Sequence, residues 1–487
     1  MSSMFSTPPE PVTALASVAG VVLAGLCVKA LLAKDGAHLF PPGPKPRPII
    51  GNLLEIPLKN ASSIYLNWSK EFNSSLIHLY ALGQRIIVVN GRKDADELFE
   101  NRARIYSDRP QSETTAMVGW EYNLALFPYG EYWRMHRRIC QQNFKAAASH
   151  QFYPIQRRKI HDMLLRLLDS PDQFEGHNKL LSISVALAMM YGYDAKSLDD
   201  PVIKAADKGF DSGIKVISPG GSFVNVFPIL KYVPWTWTQR LSKESWRLTQ
   251  EVKQIPFDSL MQDLKNGTAI PSLVGNFMER KHTAGASEEE QEATINVANN
   301  VYVAASDTTI SASLSFIYFM ATHPDVQAKA QAEVDRVIGT RLPSFEDRSL
   351  LPYTEALYRE VLRRCPPVPM SLPHATSEDD WYNGYFIPKG TIILGNIWAM
   401  NHDEERYPDP MAFKPERFLN EKGQVIDDRI MAYGFGRRIC AGKHVATEMS
   451  WLTMTSILTC FSIRKKKDAN GNEIEIDDHM EEVGVVS

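Results

Sequence analysis

Cysteine is scarce in this sequence: five among 487 residues, at Cys27, Cys140, Cys365, Cys440 and Cys460, odd in number and irregularly spaced. That excludes a disulfide framework and points to a reducing compartment. A surplus of positive charge is lacking too. Lys and Arg number 53 against 57 Asp and Glu, a net charge of −4, which excludes a nucleic-acid binder working through a broad basic surface. No Walker A string occurs, and Gly434-Phe435-Gly436-Arg437-Arg438-Ile439 lacks the third glycine of the dinucleotide fingerprint. Any reducing power must therefore come from outside the chain. Internal repeats are absent, as are low-complexity tracts beyond Pro48. With 44% hydrophobic and 23% charged residues, disordered, collagen-like and coiled-coil architectures are excluded.

What is present begins with an apolar run. From Val12 to Ala33 only Thr13, Ser17 and Lys29 are polar, and these 22 residues make a helix of roughly 33 Å, enough for a hydrocarbon core of roughly 30 Å. Residues 1–11 contain no Lys or Arg, unlike the basic start of a signal peptide, so the run reads as a single membrane anchor. Lys29, Lys34, Lys45 and Arg47 follow the span, and the positive-inside rule places the bulk of the chain in the cytosol. Residues 1–11 are then lumenal, 12–33 the anchor and 34–52 a proline-rich linker through Pro41-Pro42-Gly43-Pro44-Lys45-Pro46-Arg47-Pro48, stiffened by fixed φ. Residues 53–487 form one large domain. Sequons at Asn60, Asn67, Asn73 and Asn266 would stay unmodified on the cytosolic side.

Strand signals in that domain are few: Leu76 to Tyr80, Arg85 to Val89, and Trp381 to Leu394, broken at Asn383-Gly384 and Pro388-Lys389-Gly390. Most of the rest reads as helix, so the fold class is mainly α with small β-sheets. The strongest helix starts at the capping box Ser287-Glu288-Glu289-Glu290 and runs to about Ala321, where His323-Pro324 stops it. Its middle, Val301-Tyr302-Val303-Ala304-Ala305, is apolar on every side and is followed by Ser306-Asp307-Thr308-Thr309; an acid and alcohols there need a reason.

Near the C-terminus, Tyr433 to Gly442 leads into an amphipathic helix from about Lys443 to Cys460. The glycines permit a tight turn, and a cysteine at a helix N-terminus beside arginines has its thiolate favoured. On residue types alone Cys440 is a sulfur ligand, a nucleophile paired with a histidine such as His444, or a small buried hydrophobe.

The whole segment, Tyr433-Gly434-Phe435-Gly436-Arg437-Arg438-Ile439-Cys440-Ala441-Gly442, resembles the haem-thiolate signature of the cytochromes P450, F-x-x-G-x-R-x-C-x-G, with Tyr433 in place of Phe. Three further matches occur. Glu360-Val361-Leu362-Arg363 is similar to the E-x-x-R element and Pro415-Glu416-Arg417-Phe418 to the P-E-R-F element. E-x-x-R spacing also occurs at Glu131/Arg134, Glu244/Arg247 and Glu333/Arg336, and position distinguishes the Glu360 copy. Ala304-Ala305-Ser306-Asp307-Thr308-Thr309 resembles the oxygen-activation motif, with Ala305 at its glycine position, and Trp133-Arg134-Met135-His136-Arg137 resembles the W-x-x-x-R element.

The resemblance implies a cytochrome P450 fold behind one transmembrane helix and an endoplasmic reticulum location. It implies haem b with Cys440 as axial iron ligand, and Trp133, Arg137, His374 and Arg438 binding the propionates. Thr308 and Asp307 would serve oxygen activation, Thr308 holding the oxygen or a water and Asp307 relaying protons. Glu360, Arg363 and Arg417 would form a buried ion-pair network with a structural role. Met117, Trp120, Val303, Val368 and Leu372 would line an apolar pocket, so the substrate is a lipophilic small molecule. Electrons would come from NADPH through NADPH-cytochrome P450 reductase, docking at Arg437, Lys443 and the run Arg464 to Lys467. The stretch Val216 to Trp237 reads either as core packing or as a dip into lipid. After about residue 465 the family's final hairpin looks missing or rewritten.

The wording of the matches is most similar to fungal microsomal members, many of which tailor terpenoid or polyketide skeletons. The leading reading is thus an NADPH- and O2-dependent monooxygenase. Two others stand beside it: a haem-thiolate isomerase or dehydratase that needs no O2, and a C-terminally truncated, non-catalytic membrane haem protein.

Overall fold

The computed structural model describes residues 39–218, 223–225, 227–233, 236–426 and 428–476. The expected anchor at residues 12–33 and the chain beyond residue 476 lie outside them. Among the described residues no helix is long and apolar enough to cross a membrane.

Eleven longer helices carry the fold: α1 (Ala61–Glu71), α2 (Glu131–Phe144), α3 (Tyr153–Asp169), α4 (Phe174–Tyr191), α5 (Pro201–Ile217), α6 (Trp237–Asn266), α7 (Leu273–Ala284), α8 (Glu288–Thr322), α9 (Pro324–Ile338), α10 (Pro352–Arg364) and α11 (Lys443–Cys460). Their ends follow local chemistry. Asp200 accepts the Val202 amide at the start of α5, and Gly192 and Gly267, both at positive φ, close α4 and α6. The capping box expected at Ser287 is formed in both directions, and α8 runs for 35 residues, about 50 Å. It packs against α2, α4, α10 and α11 and is buried on several faces, from Ala293 and Val297 to Phe316 and Met320.

The β-structure is small. Strands β1 (Leu76–Ala81), β2 (Gln84–Val89), β3 (His374–Ala375) and β6 (Ile392–Gly395) form one sheet in the order β1-β2-β6-β3, with β2 and β6 parallel. Strands β4 (Asp380–Tyr382) and β5 (Tyr385–Ile387) form a separate hairpin. Its turn, Asn383-Gly384, has both residues at positive φ, the conformation that matches strand twist. The proline segment, expected as a stiff linker between membrane and domain, lies along β1 from residue 42 onward. The Pro42 carbonyl accepts the His78 amide, and Asn52 accepts the Tyr80 amide while donating to the Pro44 carbonyl. A Cβ on Gly43 would fall 2.0 Å from the His78 oxygen, so only glycine allows this approach. At the other end, Lys467 pairs with Glu473 around an Asp468-capped turn.

One buried ion-pair network ties these parts together. Glu360 and Arg363, one turn apart on α10, are both fully buried and make a two-pronged contact, Nε to Oε2 at 2.6 Å and Nη2 to Oε1 at 2.9 Å. Arg417 Nε and the Lys414 amide donate to the same Oε1. Arg363 also donates to the Asn401 carbonyl, and the Asn401 side chain pairs with both backbone groups of Met431, four residues before Phe435. The network thereby reaches the cysteine loop. Removing the acid would strand a buried guanidinium, which costs about 3–5 kcal/mol. Glu360→Gln should therefore lower the unfolding free energy by that order in thermal or denaturant melts; an unchanged melt would refute this role.

Candidate active site

The cysteine loop is held by contacts distant in sequence. Gly434 and Gly436 both have positive φ, and a Cβ on Gly436 would stand 2.0 Å from the Phe99 oxygen. Phe435 is buried and stacks on Phe99 at 4.7 Å, while Glu100 accepts the Gly436 amide and an Arg429 guanidinium N–H. Both Phe99 and Glu100 belong to a π-helical turn over Asp96–Asn101, which no local sequence signal marks. The loop closes with the Cys440 amide donating to the Tyr433 carbonyl at 2.8 Å.

Cys440 retains accessible surface, yet the surrounding protein desolvates it and pushes its thiol up; the Gly442 amide, Arg137 and Lys443 act in the opposite direction. The neighbouring arginines are not the groups that face it. Arg437 donates to the Tyr129 hydroxyl, and Arg438 donates to the Ser107 and Phe127 carbonyls. The cations that favour the thiolate are Arg137, from α2, and Lys443.

Tyr433, the departure from the signature, satisfies its hydroxyl: Tyr358 shares a hydrogen bond with it at 2.8 Å and Thr447 donates to it at 2.9 Å. Burial and the neighbouring Tyr358 hold the phenol well above its ordinary pKa, so it stays neutral.

Around this loop stands a group of cations short of acid. The Arg438 guanidinium lies 4.5 Å from the Trp133 ring centroid, and its Nη1 is buried with no partner among the described residues. Arg137 makes no ion pair or hydrogen bond there either; burial lowers its pKa, with Cys140 and Cys440 opposing. His374 donates from Nδ1 to the Tyr106 carbonyl, and burial and Arg109 hold its imidazole well below the ordinary pKa. Burial and Arg438 push Arg109 down to about 9, and burial pushes Arg438 down to about 10. Asp108 offsets both, but its Oδ1 already accepts the Arg109 and Tyr129 amides. Arg109 itself donates to the Ala125, Leu372 and Pro373 carbonyls. Sequence reasoning missed it, since nothing in Asp108-Arg109-Pro110 announces a buried guanidinium.

An orphaned guanidinium nitrogen among neighbouring buried cations fits an anionic group, such as the propionate edge of a haem. Trp133, Arg137, His374, Arg438 and Cys440 are thus brought into one cluster. Asp307 and Thr308 lie on α8, which packs on α2 and on α11, and neither touches a residue of that cluster among the described residues. Thr308 Oγ1 donates to the Ala304 carbonyl at 2.8 Å, leaving its lone pairs free to accept. Asp307 is solvent-accessible; burial and Asp207 raise its carboxyl above the ordinary range, against Lys179. Ala305, at the motif's glycine position, packs against the cluster of Leu180, Ile183 and Leu248 from α4 and α6. Trp120, expected in the pocket wall, stacks on Phe210 of α5 at 5.6 Å and fills the space left by Gly213.

A family model described as Cytochrome P450 matches residues 41–480. Cytochrome P450 monooxygenase COX2 of Coprinopsis cinerea is 36% identical over 483 residues, covering 96% of this chain and 91% of the relative. Cytochrome P450 monooxygenase 98 of Postia placenta is 37% identical over 461 residues, 92% and 88% of the two chains. Cytochrome P450 monooxygenase ppsD of Aspergillus oryzae is 37% identical over 457 residues, 91% and 86%.

Tyr433→Phe would restore the signature residue yet remove the hydrogen bond that Tyr358 and Thr447 each make to the Tyr433 hydroxyl. A loss of about 1–2 kcal/mol in unfolding free energy is expected, read by thermal or denaturant melts, with the reduced CO spectrum unchanged in position.

Proposed function

The chain belongs to the cytochrome P450 family, and on that premise we propose that this haem-thiolate monooxygenase acts on a lipophilic small molecule of fungal secondary metabolism, a terpenoid or polyketide skeleton. The reaction joins substrate, O2, two electrons and two protons to give hydroxylated or epoxidised product and water. Haem bound through a cysteine thiolate supplies the oxygen activation. The chain supplies the rest. Arg137, Arg438, His374 and Trp133 bind the anionic edge, and the single observation that carries this reading is the unpartnered buried Arg438 nitrogen among neighbouring cations. The Glu360, Arg363 and Arg417 network keeps the loop in register so that Cys440 meets the iron.

On α8 the Thr308 hydroxyl, its own proton given to the Ala304 carbonyl, holds a protonated oxygen or a water by accepting a hydrogen bond from it, and Asp307 relays protons from solvent. A carboxyl with a raised pKa is suited to that relay, because it holds its proton to higher pH than an exposed aspartate does. Electrons come from a redox partner, NADPH-cytochrome P450 reductase, for which Arg437, Lys443, Arg464, Lys466 and Lys467 offer positive charge on the cysteine side. Arg437, Arg464, Lys466 and Lys467 are exposed. The domain sits on the cytosolic face of the endoplasmic reticulum, tethered by residues 12–33. Exposed Leu54, Leu58, Ile229 and Tyr232 support contact with lipid.

Cys440→Ser should abolish the red-shifted Soret band of the reduced CO complex along with turnover; retention of both would end this reading. Thr308→Ala should leave NADPH consumption within a few-fold of wild type while product per NADPH falls at least tenfold. Turnover that persists without O2 and ignores Thr308 would instead indicate an isomerase or dehydratase. Product per NADPH should rise as pH falls through an acid limb lying above the ordinary aspartate range, and Asp307→Asn should flatten that limb.

A further inference from the structure

The turn that carries Asp307 and Thr308 receives hydrogen bonds from a second helix. Ser182 of α4 is 2% exposed. Its Oγ lies 2.7 Å from the Ala305 carbonyl oxygen and 3.1 Å from that of Ser306. One turn earlier on the same face of α4, buried Asn178 donates from Nδ2 to the Ile310 carbonyl at 3.1 Å. In a regular helix the Ala305 and Ser306 carbonyls accept the Thr309 and Ile310 amides. α8 is continuous through this turn, so the Ser182 hydroxyl is a second donor to carbonyls that already accept an amide, and the charge on each oxygen is shared between two donors. Next to this pair, the Ala304 carbonyl takes the Thr308 hydroxyl. Three successive carbonyls are therefore shared between backbone and side-chain donors.

We propose that Ser182 is a positioning residue for the reaction: its hydroxyl weakens the α8 ladder at Ala305 and Ser306, and so sets the opening of the turn from which Thr308 and Asp307 act. The place that the family motif gives to glycine, a freer backbone, is held here by Ala305, whose methyl is packed against α4. Ser182 loosens from outside a turn whose own residue is stiffer. The inference rests on the role proposed for Thr308, but its structural half can be tested without turnover.

The experiment compares the wild-type holoprotein with Ser182→Ala and Ser182→Thr. Hydrogen exchange, resolved to single amides by mass spectrometry with electron-transfer fragmentation, reads Thr309 and Ile310. Losing a competing hydrogen bond should slow exchange at these two amides about fivefold in Ser182→Ala, with Ser182→Thr close to wild type because the hydroxyl is kept. A merely structural role would instead speed exchange along α4 and α8 together. Product per NADPH should fall at least threefold in Ser182→Ala, the substrate dissociation constant staying unchanged. Unchanged or faster exchange at Thr309 and Ile310 overturns the proposal. Slower exchange with unaltered product per NADPH keeps the ladder effect and overturns the positioning role. If Ser182→Ala does not accumulate, Ser182→Cys, of similar shape with a weaker donor, should give intermediate slowing, and wild-type exchange there overturns the proposal equally. Failure of the oxygen-activation reading would appear separately, as a Thr308→Ala enzyme with normal product per NADPH.

Discussion

Glu360 and Arg363 face each other without access to water, and groups from elsewhere in the chain add further hydrogen bonds to both charges of the pair. Its energy comes less from mutual attraction than from what would follow if either charge were left alone. Because the guanidinium reaches the Asn401, Pro410 and Ala412 carbonyls while the carboxylate takes Arg417 and the Lys414 amide, the pair defines where the loop after β6 must run. That loop, through Asn401 and Met431, in turn holds the segment bearing Phe435 and Cys440. The position of the sulfur is inherited from a salt bridge that never touches it.

The protein around the sulfur is assembled with its charges out of balance. Arg109, Arg137, Arg438 and His374 approach one another with Asp108 as their offset, and all four have depressed pKa values. Such a cluster is costly by itself and becomes favourable when an anion enters. An anionic cofactor edge entering this cluster would relieve the repulsion and stabilise the chain in the same event. The thiol follows the same logic, since burial favours its neutral form until a metal cation gives the thiolate a partner.

How legible this was depended on range. The long helix with its capping box, the strands at Leu76 and Gln84 and the Asn383-Gly384 turn were readable, because caps, alternation and turn chemistry act over a few residues. Cys440, Glu360 and Thr308 were readable because they sit in short strings with restrictive spacing. Arg109, Glu100 and Ser182 were not, since each acts on residues more than a hundred positions away through groups that any surface arginine, glutamate or serine also carries. Trp120, expected in the pocket wall, also stacks on Phe210 of α5, a contact that no local signal announces.

By itself the sequence determined the kind of ligand, a lone sulfur at a helix start, and the acid and alcohol placed midway along an apolar rod, since both follow from local order. Only the tertiary structure decided which charges meet that sulfur. Arg437 and Arg438, its neighbours in the chain, are turned away by the short 3-10 turn that precedes it, whereas Arg137, some three hundred residues earlier, is brought to it by the packing of α2 beside α8 and α11. Electrostatic interaction depends on distance through space, and distance along the chain carries little information about it once helices have packed.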